Sequence, residues 1–171
     1  IFKLNRMFPK DIAVYNIHSV KADLHARFDA KKRTYRYFIH QQKNPFLTQT
    51  SLLIHQSVDY EKMNISAKAL IGKKDFTSFS KLHTDVHTNI CDVREAYWLE
   101  YEPGKWYFQI SADRFLRNMV RAIVGTLINV GLHKITLSEF NSIIENKNRN
   151  EAGFSVPAQG LFLTKIDYDY L

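Results

Sequence analysis

The chain has 171 residues, 45% of them hydrophobic, which suits one medium domain with a core of its own. A formal net charge of +7 favours an anionic partner, nucleic acid first among them. No apolar run reaches the length of a membrane span: the richest, Met119 to Val130, is broken by Arg121, Gly125 and Asn129. The first residues carry no secretory-type pattern, and the single cysteine, Cys91, excludes an intrachain disulfide and fits a reducing cytoplasmic setting.

The sequence opens on Ile1-Phe2-Lys3-Leu4 without an initiator methionine and enters structured-looking sequence at once, so it reads as part of a longer protein. Asp11 to Val20 alternates apolar and polar residues and predicts a strand. Thr34 to His40, aromatic and β-branched, predicts a second, and Ser51 to His55 a short third. Tyr60 to Ile71 has a helical apolar pattern stopped by Gly72. Asp92 to Tyr101 and Trp106 to Ala112 flank Glu102-Pro103-Gly104-Lys105, a hairpin signal. Arg114 to Val130 predicts the longest helix, with Gly131 as its stop. Leu137 to Glu145 predicts another, with Thr136 as N-cap and Glu139 as capping-box partner. Leu161 to Tyr168 predicts a closing strand. Helices mixed with hairpin-type strands imply an α+β fold with a mainly antiparallel sheet, and the absence of a linker or repeat implies a single domain over residues 1–171.

Two stretches bear on function. On a helix from Arg114, Phe115, Leu116, Met119, Val120, Ile123 and Leu127 fall on one side as a core face. Arg114, Arg117, Asn118, Arg121 and Gly125 fall on the other, a guanidinium stripe suited to phosphate with one position where another backbone could come close. The second stretch, His25 to Tyr37, packs six cations and three aromatics together. Cations neutralise phosphates, and aromatic faces receive unstacked bases. On a strand, Tyr35 and Tyr37 share one side, so one tyrosine can face a site while the other packs. Each stretch also fits a plainer reading, a solvated helix face and a half-buried strand with a basic edge.

Other chemistry has little support. His83 and His87 have the spacing of two ligands on a helix, but Lys81 to Asn89 lacks a helical pattern and has no Glu beside His83, so no metal is expected. There is no Gly-rich phosphate loop, and Cys91 reads as a buried small residue.

Read together, several blocks resemble one family. Phe8-Pro9-Lys10-Asp11-Ile12-Ala13-Val14, His25-Ala26-Arg27-Phe28 followed by Tyr35-Arg36-Tyr37, and Asp75-Phe76-Thr77-Ser78-Phe79 come first. Phe115 to Gly125 (FLRNMVRAIVG) and Pro157-Ala158-Gln159-Gly160-Leu161-Phe162-Leu163 follow in the same order. They are similar to the signatures of the C-terminal half of the tRNA pseudouridine synthase A (TruA) family. The resemblance implies a pseudouridine synthase-like mixed fold, isomerisation of uridine in the anticodon arm of tRNA, no cofactor, and a homodimer. It implies that Tyr35 is the tyrosine that stacks on the target uracil, that Arg121 pairs with the catalytic aspartate, and that Leu161 lines the uracil pocket. Arg27, Arg33, Arg36, Arg114 and Arg117 are candidate phosphate contacts.

The family's aspartate lies in an R-T-D-A-G-V-H segment, which this sequence does not contain. Asp85 precedes Val86-His87 without the rest of the motif, and Asp113 aligns with a non-catalytic position. The chain alone is therefore expected to be inactive. The competing expectations are a non-catalytic RNA-binding module and a dimerisation domain.

Overall fold

The computed structural model describes residues 1–81 and 87–170; His83 and Asp85 lie outside them. The architecture is a six-stranded sheet with helices on one face. Strand β1 (Lys32–His40) is central, and β5 (Lys105–Ala112), β4 (Ile90–Glu102) and β3 (Gly72–Asp75) follow on one side, each antiparallel to its neighbour. The other edge of β1 is shared. Antiparallel β6 (Leu161–Asp167) covers its first part, and the short parallel β2 (Leu52–Leu53) covers its end.

The hairpin expected at Pro103-Gly104 joins β4 to β5, and Gly104 adopts the φ of 69° that the tight turn needs. Alternation then sorts the two faces. Tyr37, Ile39, Ala96, Trp98, Phe108 and Ile110 point into the core beneath helices α2 (Tyr60–Lys68), α3 (Met119–Gly131) and α4 (Leu137–Asn146). On the opposite face, Phe38 packs against Tyr101, Tyr107 and Phe162. Helix α3 supplies the middle of the core, with Met119, Ile123, Val124 and Leu127 fully buried. Helix α4 begins with the predicted capping box, in which the Thr136 hydroxyl accepts from Glu139 N and the Glu139 carboxylate accepts from Thr136 N.

Two expected elements differ. Residues 11–20 form no strand: they run exposed and without a ladder, after a short helix α1 (Phe2–Met7) that the sequence reading did not predict. Here the Asn5 side chain takes both backbone groups of Val14, donating to its carbonyl at 2.8 Å and accepting from its N–H at 2.6 Å. That exchange occupies the groups a neighbouring strand would have used. The longest helix begins at Met119, five residues later than the periodicity predicts. The Asp113 carboxylate accepts from Arg114 N at 2.7 Å, and Asn118 has a φ of 70°, so the backbone turns out of helical geometry just before the first turn. Among the described residues, no helix is long and apolar enough to cross a membrane.

Candidate active-site cleft

Arg121 lies in the first turn of α3, and a strap of chain, residues 149–157, fixes its direction. Arg121 Nε donates to the Val156 carbonyl at 2.5 Å, and Val156 N donates back to the Arg121 carbonyl at 3.3 Å. One guanidinium edge is thus committed to the strap, and its terminal nitrogens remain for the cleft. Gly153 N donates to the Thr126 hydroxyl at 2.9 Å. Ser155 Oγ accepts from Arg149 at 3.0 Å and also from Asn118 Nδ2.

The strap reaches β1 as well. Tyr37, fully buried, donates its hydroxyl to the Pro157 carbonyl at 2.7 Å. Burial raises the Tyr37 pKa well above its ordinary value, and the positive charge of Arg121 partly opposes that. The phenol therefore stays a hydrogen-bond donor. A Cβ on Gly160 would come within 2.7 Å of the Phe38 carbonyl, and its absence lets the chain enter β6 close against β1 with Leu161 opposite Tyr37.

Between these parts lies an open cleft of about 1010 Å³, lined by Lys81, Arg117, Asn118, Arg121, Arg149, Phe154, Leu161 and smaller neighbours. Lys81 is brought there by its backbone N–H, which donates to the Arg117 carbonyl at 3.0 Å. Four cations share one concavity, and among the described residues none of them has an ion-pair partner. Such a surface focuses positive potential and attracts polyanions.

The residues singled out by sequence divide into groups. Arg117, Arg121 and Leu161 meet in the cleft. Tyr35 is half-buried on the same face of β1 as Tyr37, its ring edge-on to Phe115 at 5.1 Å, and stands outside the cleft lining. Arg36 is on the opposite sheet face, its guanidinium 4.4 Å from the Tyr107 ring centre and its Nε donating to Gln109 at 2.8 Å. Arg33 donates to the carbonyls of Asp113 (2.6 Å), Ala30 (3.0 Å) and Arg27, clasping the turn before β1 to the end of β5. Arg27 is exposed, its guanidinium over Phe28. Arg114 is half-exposed in the loop before α3.

Asp113 is a scaffold residue: its carboxylate accepts from both Asp92 N and Arg114 N. Sequence reasoning passed over Lys81, Arg149 and Phe154. The signal available for the last two was the stretch 147–157, a long connection with a basic start between a capped helix and a closing strand.

A central sheet with a helix layer on one face and a cationic cleft where α3, the strap and β6 converge defines an α+β protein with a positively charged concavity. Comparison with known sequences gives the family. Residues 66–169 match the family model described as tRNA pseudouridine synthase. The chain is 54% identical over 166 residues to tRNA pseudouridine synthase A of Bacteroides fragilis, covering 97% of this chain and 66% of that protein. It is 51% identical to the protein of the same name from Porphyromonas gingivalis, with 97% and 66% covered, and 38% identical to that of Bacillus subtilis, with 98% and 68% covered. The chain belongs to the tRNA pseudouridine synthase family. It spans about two-thirds of the length of the curated relatives it matches.

Proposed function

We propose that this chain is the tRNA-holding portion of an enzyme that isomerises uridine to pseudouridine in the anticodon arm of tRNA, and that the protein acts as a cytoplasmic homodimer without a cofactor. The observation that carries the reading is the fixed aim of Arg121 into a cationic cleft walled by Leu161. In the proposed mechanism the target uridine leaves its stack and packs on Leu161 at the cleft wall, and the Tyr35 ring, on the same sheet face but outside the present lining, reaches it to stack; the two contacts offset part of the unstacking cost. Arg117 and Lys81 take the flanking phosphates. Arg121, with its Nε held by Val156, presents its terminal nitrogens to a carboxylate and keeps it ionised. That carboxylate is the nucleophile. It attacks C1′ of the ribose and displaces the uracil from N1; the uracil turns, C5 attacks C1′ and displaces the carboxylate, and the proton lost from C5 to water is matched by one taken up at N1, so that the product is an isomer of the substrate.

The segment R-T-D-A-G-V-H that bears this aspartate in the family does not occur in the chain, and Asp113 is occupied by backbone donors. The chain by itself is therefore expected to bind tRNA without turnover. The test is to incubate the purified chain with unmodified tRNA, following affinity at rising salt and pseudouridine content together. Binding that weakens with salt, and no pseudouridine, is the expected result. Pseudouridine made by the chain alone would overturn the assignment of the nucleophile elsewhere. Absence of salt-sensitive binding would overturn the RNA-binding reading.

A further inference from the structure

Phe154 leaves 59% of its surface exposed on the wall of the cleft, yet the backbone that carries it is fixed on every side. Its carbonyl oxygen fills the space a Cβ on Gly125 would need, 1.8 Å away. The residue before it, Gly153, is bonded to the Thr126 hydroxyl, and a Cβ there would meet the Thr126 backbone at 2.9 Å. The residue after it, Ser155, is held from two sides by Arg149 and Asn118. The ring itself is not part of the hydrophobic core. A rigid mount therefore presents a ring that contributes little to folding.

A lone exposed phenylalanine needs no explanation. Phe46 is 93% exposed, in an isolated 3₁₀ turn after Pro45. Phe154 differs in its surroundings, because the same concavity gathers Lys81, Arg117, Arg121 and Arg149. A cationic path beside a flat exposed ring is the combination that binds single-stranded nucleic acid, with phosphates on the cations and a base on the ring. The space is sufficient: pockets for one small ligand run to roughly 1,000 Å³, and this cleft, at about 1010 Å³, is open at that upper end. A preset ring also loses little freedom on binding.

We infer that Phe154 is a stacking platform for an unpaired nucleobase adjacent to the uridine received at Leu161, a second nucleotide subsite in the same cleft. The inference rests on the RNA-binding reading proposed above. Arg149 is its positioning residue, acting through Ser155 and the carbonyls of Ala152 and Gly153.

The experiment compares two short RNA strands of equal phosphate count, one of uridines and one of abasic residues, binding to the 171-residue chain. Wild type is expected to prefer the base-bearing strand. Phe154→Ala should weaken that strand about tenfold and leave the abasic strand unchanged. Phe154→Tyr should restore the preference, and Phe46→Ala should alter neither strand. An unchanged preference in Phe154→Ala, or equal weakening of both strands, would overturn the subsite while leaving RNA binding intact. If wild type binds neither strand in a salt-sensitive way, the RNA-binding reading fails and the subsite with it.

Discussion

A methyl group placed on Gly125 would lie 1.8 Å from the carbonyl oxygen of Phe154, a separation that no real Cβ contact shows. Helix and strap touch backbone to backbone at this point, and the contact sets the height at which Val156 meets Arg121. Gly125→Ala should gain up to about 1 kcal/mol in helix propensity. It should lose more, because the obstructing atom is backbone and the strap must move; overpacking typically costs about 1–3 kcal/mol. The net expectation is a lower urea midpoint and weaker tRNA binding. A variant more stable than wild type would show that the strap yields freely.

Arg121→Lys should not behave as a conservative change. An ammonium cannot both donate along the Nε direction to Val156 and present a planar pair of donors to the cleft. A hydrogen bond from a charged donor is worth about 1.5–3 kcal/mol. Arg121→Lys is therefore expected to weaken tRNA binding about tenfold, close to the loss in Arg121→Ala. Near-wild-type affinity in the lysine variant would mean that only the charge matters.

The sequence patterns located β1, the β4–β5 hairpin and the capped helix because these depend on local signals: the alternation in Thr34 to His40, the Pro103-Gly104 turn, and the Thr136/Glu139 pair; strand β3, where Gly72 was read only as a helix stop, they did not locate. Where they failed, a contact distant in sequence or a side chain competing for the backbone decided the outcome. Asn5 took the ladder groups of Val14, and Asp113 with Asn118 delayed the start of α3. Periodicity placed Arg117 and Arg121 on one helical stripe. They share the cleft, but the loop before α3 brings Arg117 there rather than the helix. Gly125 was legible as a point of close approach, whereas the partner, Phe154, was not, since nothing local links the two positions.

The placement of the arginines predicts three separate outcomes. Arg117→Ala should lower the steepness of the salt dependence of tRNA binding by about one, the signature of one lost phosphate contact. Arg36→Ala, on the other sheet face and seated on Tyr107, should leave that slope unchanged. Arg33→Ala should lower stability by about 2 kcal/mol through the loss of its carbonyl clasp, and leave the slope alone. Titrations at several salt concentrations, paired with urea unfolding, distinguish these effects. A slope lowered equally by Arg36→Ala and Arg117→Ala would place the RNA path on both faces.

Cys91 is fully buried in β4, and burial pushes its thiol up to about 11, the nearby Arg114 charge opposing the rise. The thiolate is the reactive form, so the folded chain should resist a thiol-selective disulfide reagent at about pH 8 and react promptly in denaturant. Fast labelling of the native protein would show that the β3–β4 edge opens readily.

His40 is 3% exposed at the end of β1, its Nδ1 2.8 Å from the Ser51 hydroxyl. Burial lowers its pKa, and the charge of Lys105 and the proximity of His55 lower it further. The folded state therefore holds this proton less tightly than the unfolded chain, whose histidine titrates near about 6.5. Above that pH the imidazole is neutral in both states and its contribution to stability is fully present. As the pH falls below it, the unfolded chain takes up the proton first, and stability is lost until the folded pKa is passed. Wild type should lose stability between about pH 7.5 and about pH 5.5, and His40→Asn should lose less over the same interval. The asparagine variant keeps a polar partner for Ser51, so the comparison isolates protonation from the hydrogen bond. Equal losses in both proteins, measured by urea unfolding at the two pH values, would assign the pH dependence to a group other than His40.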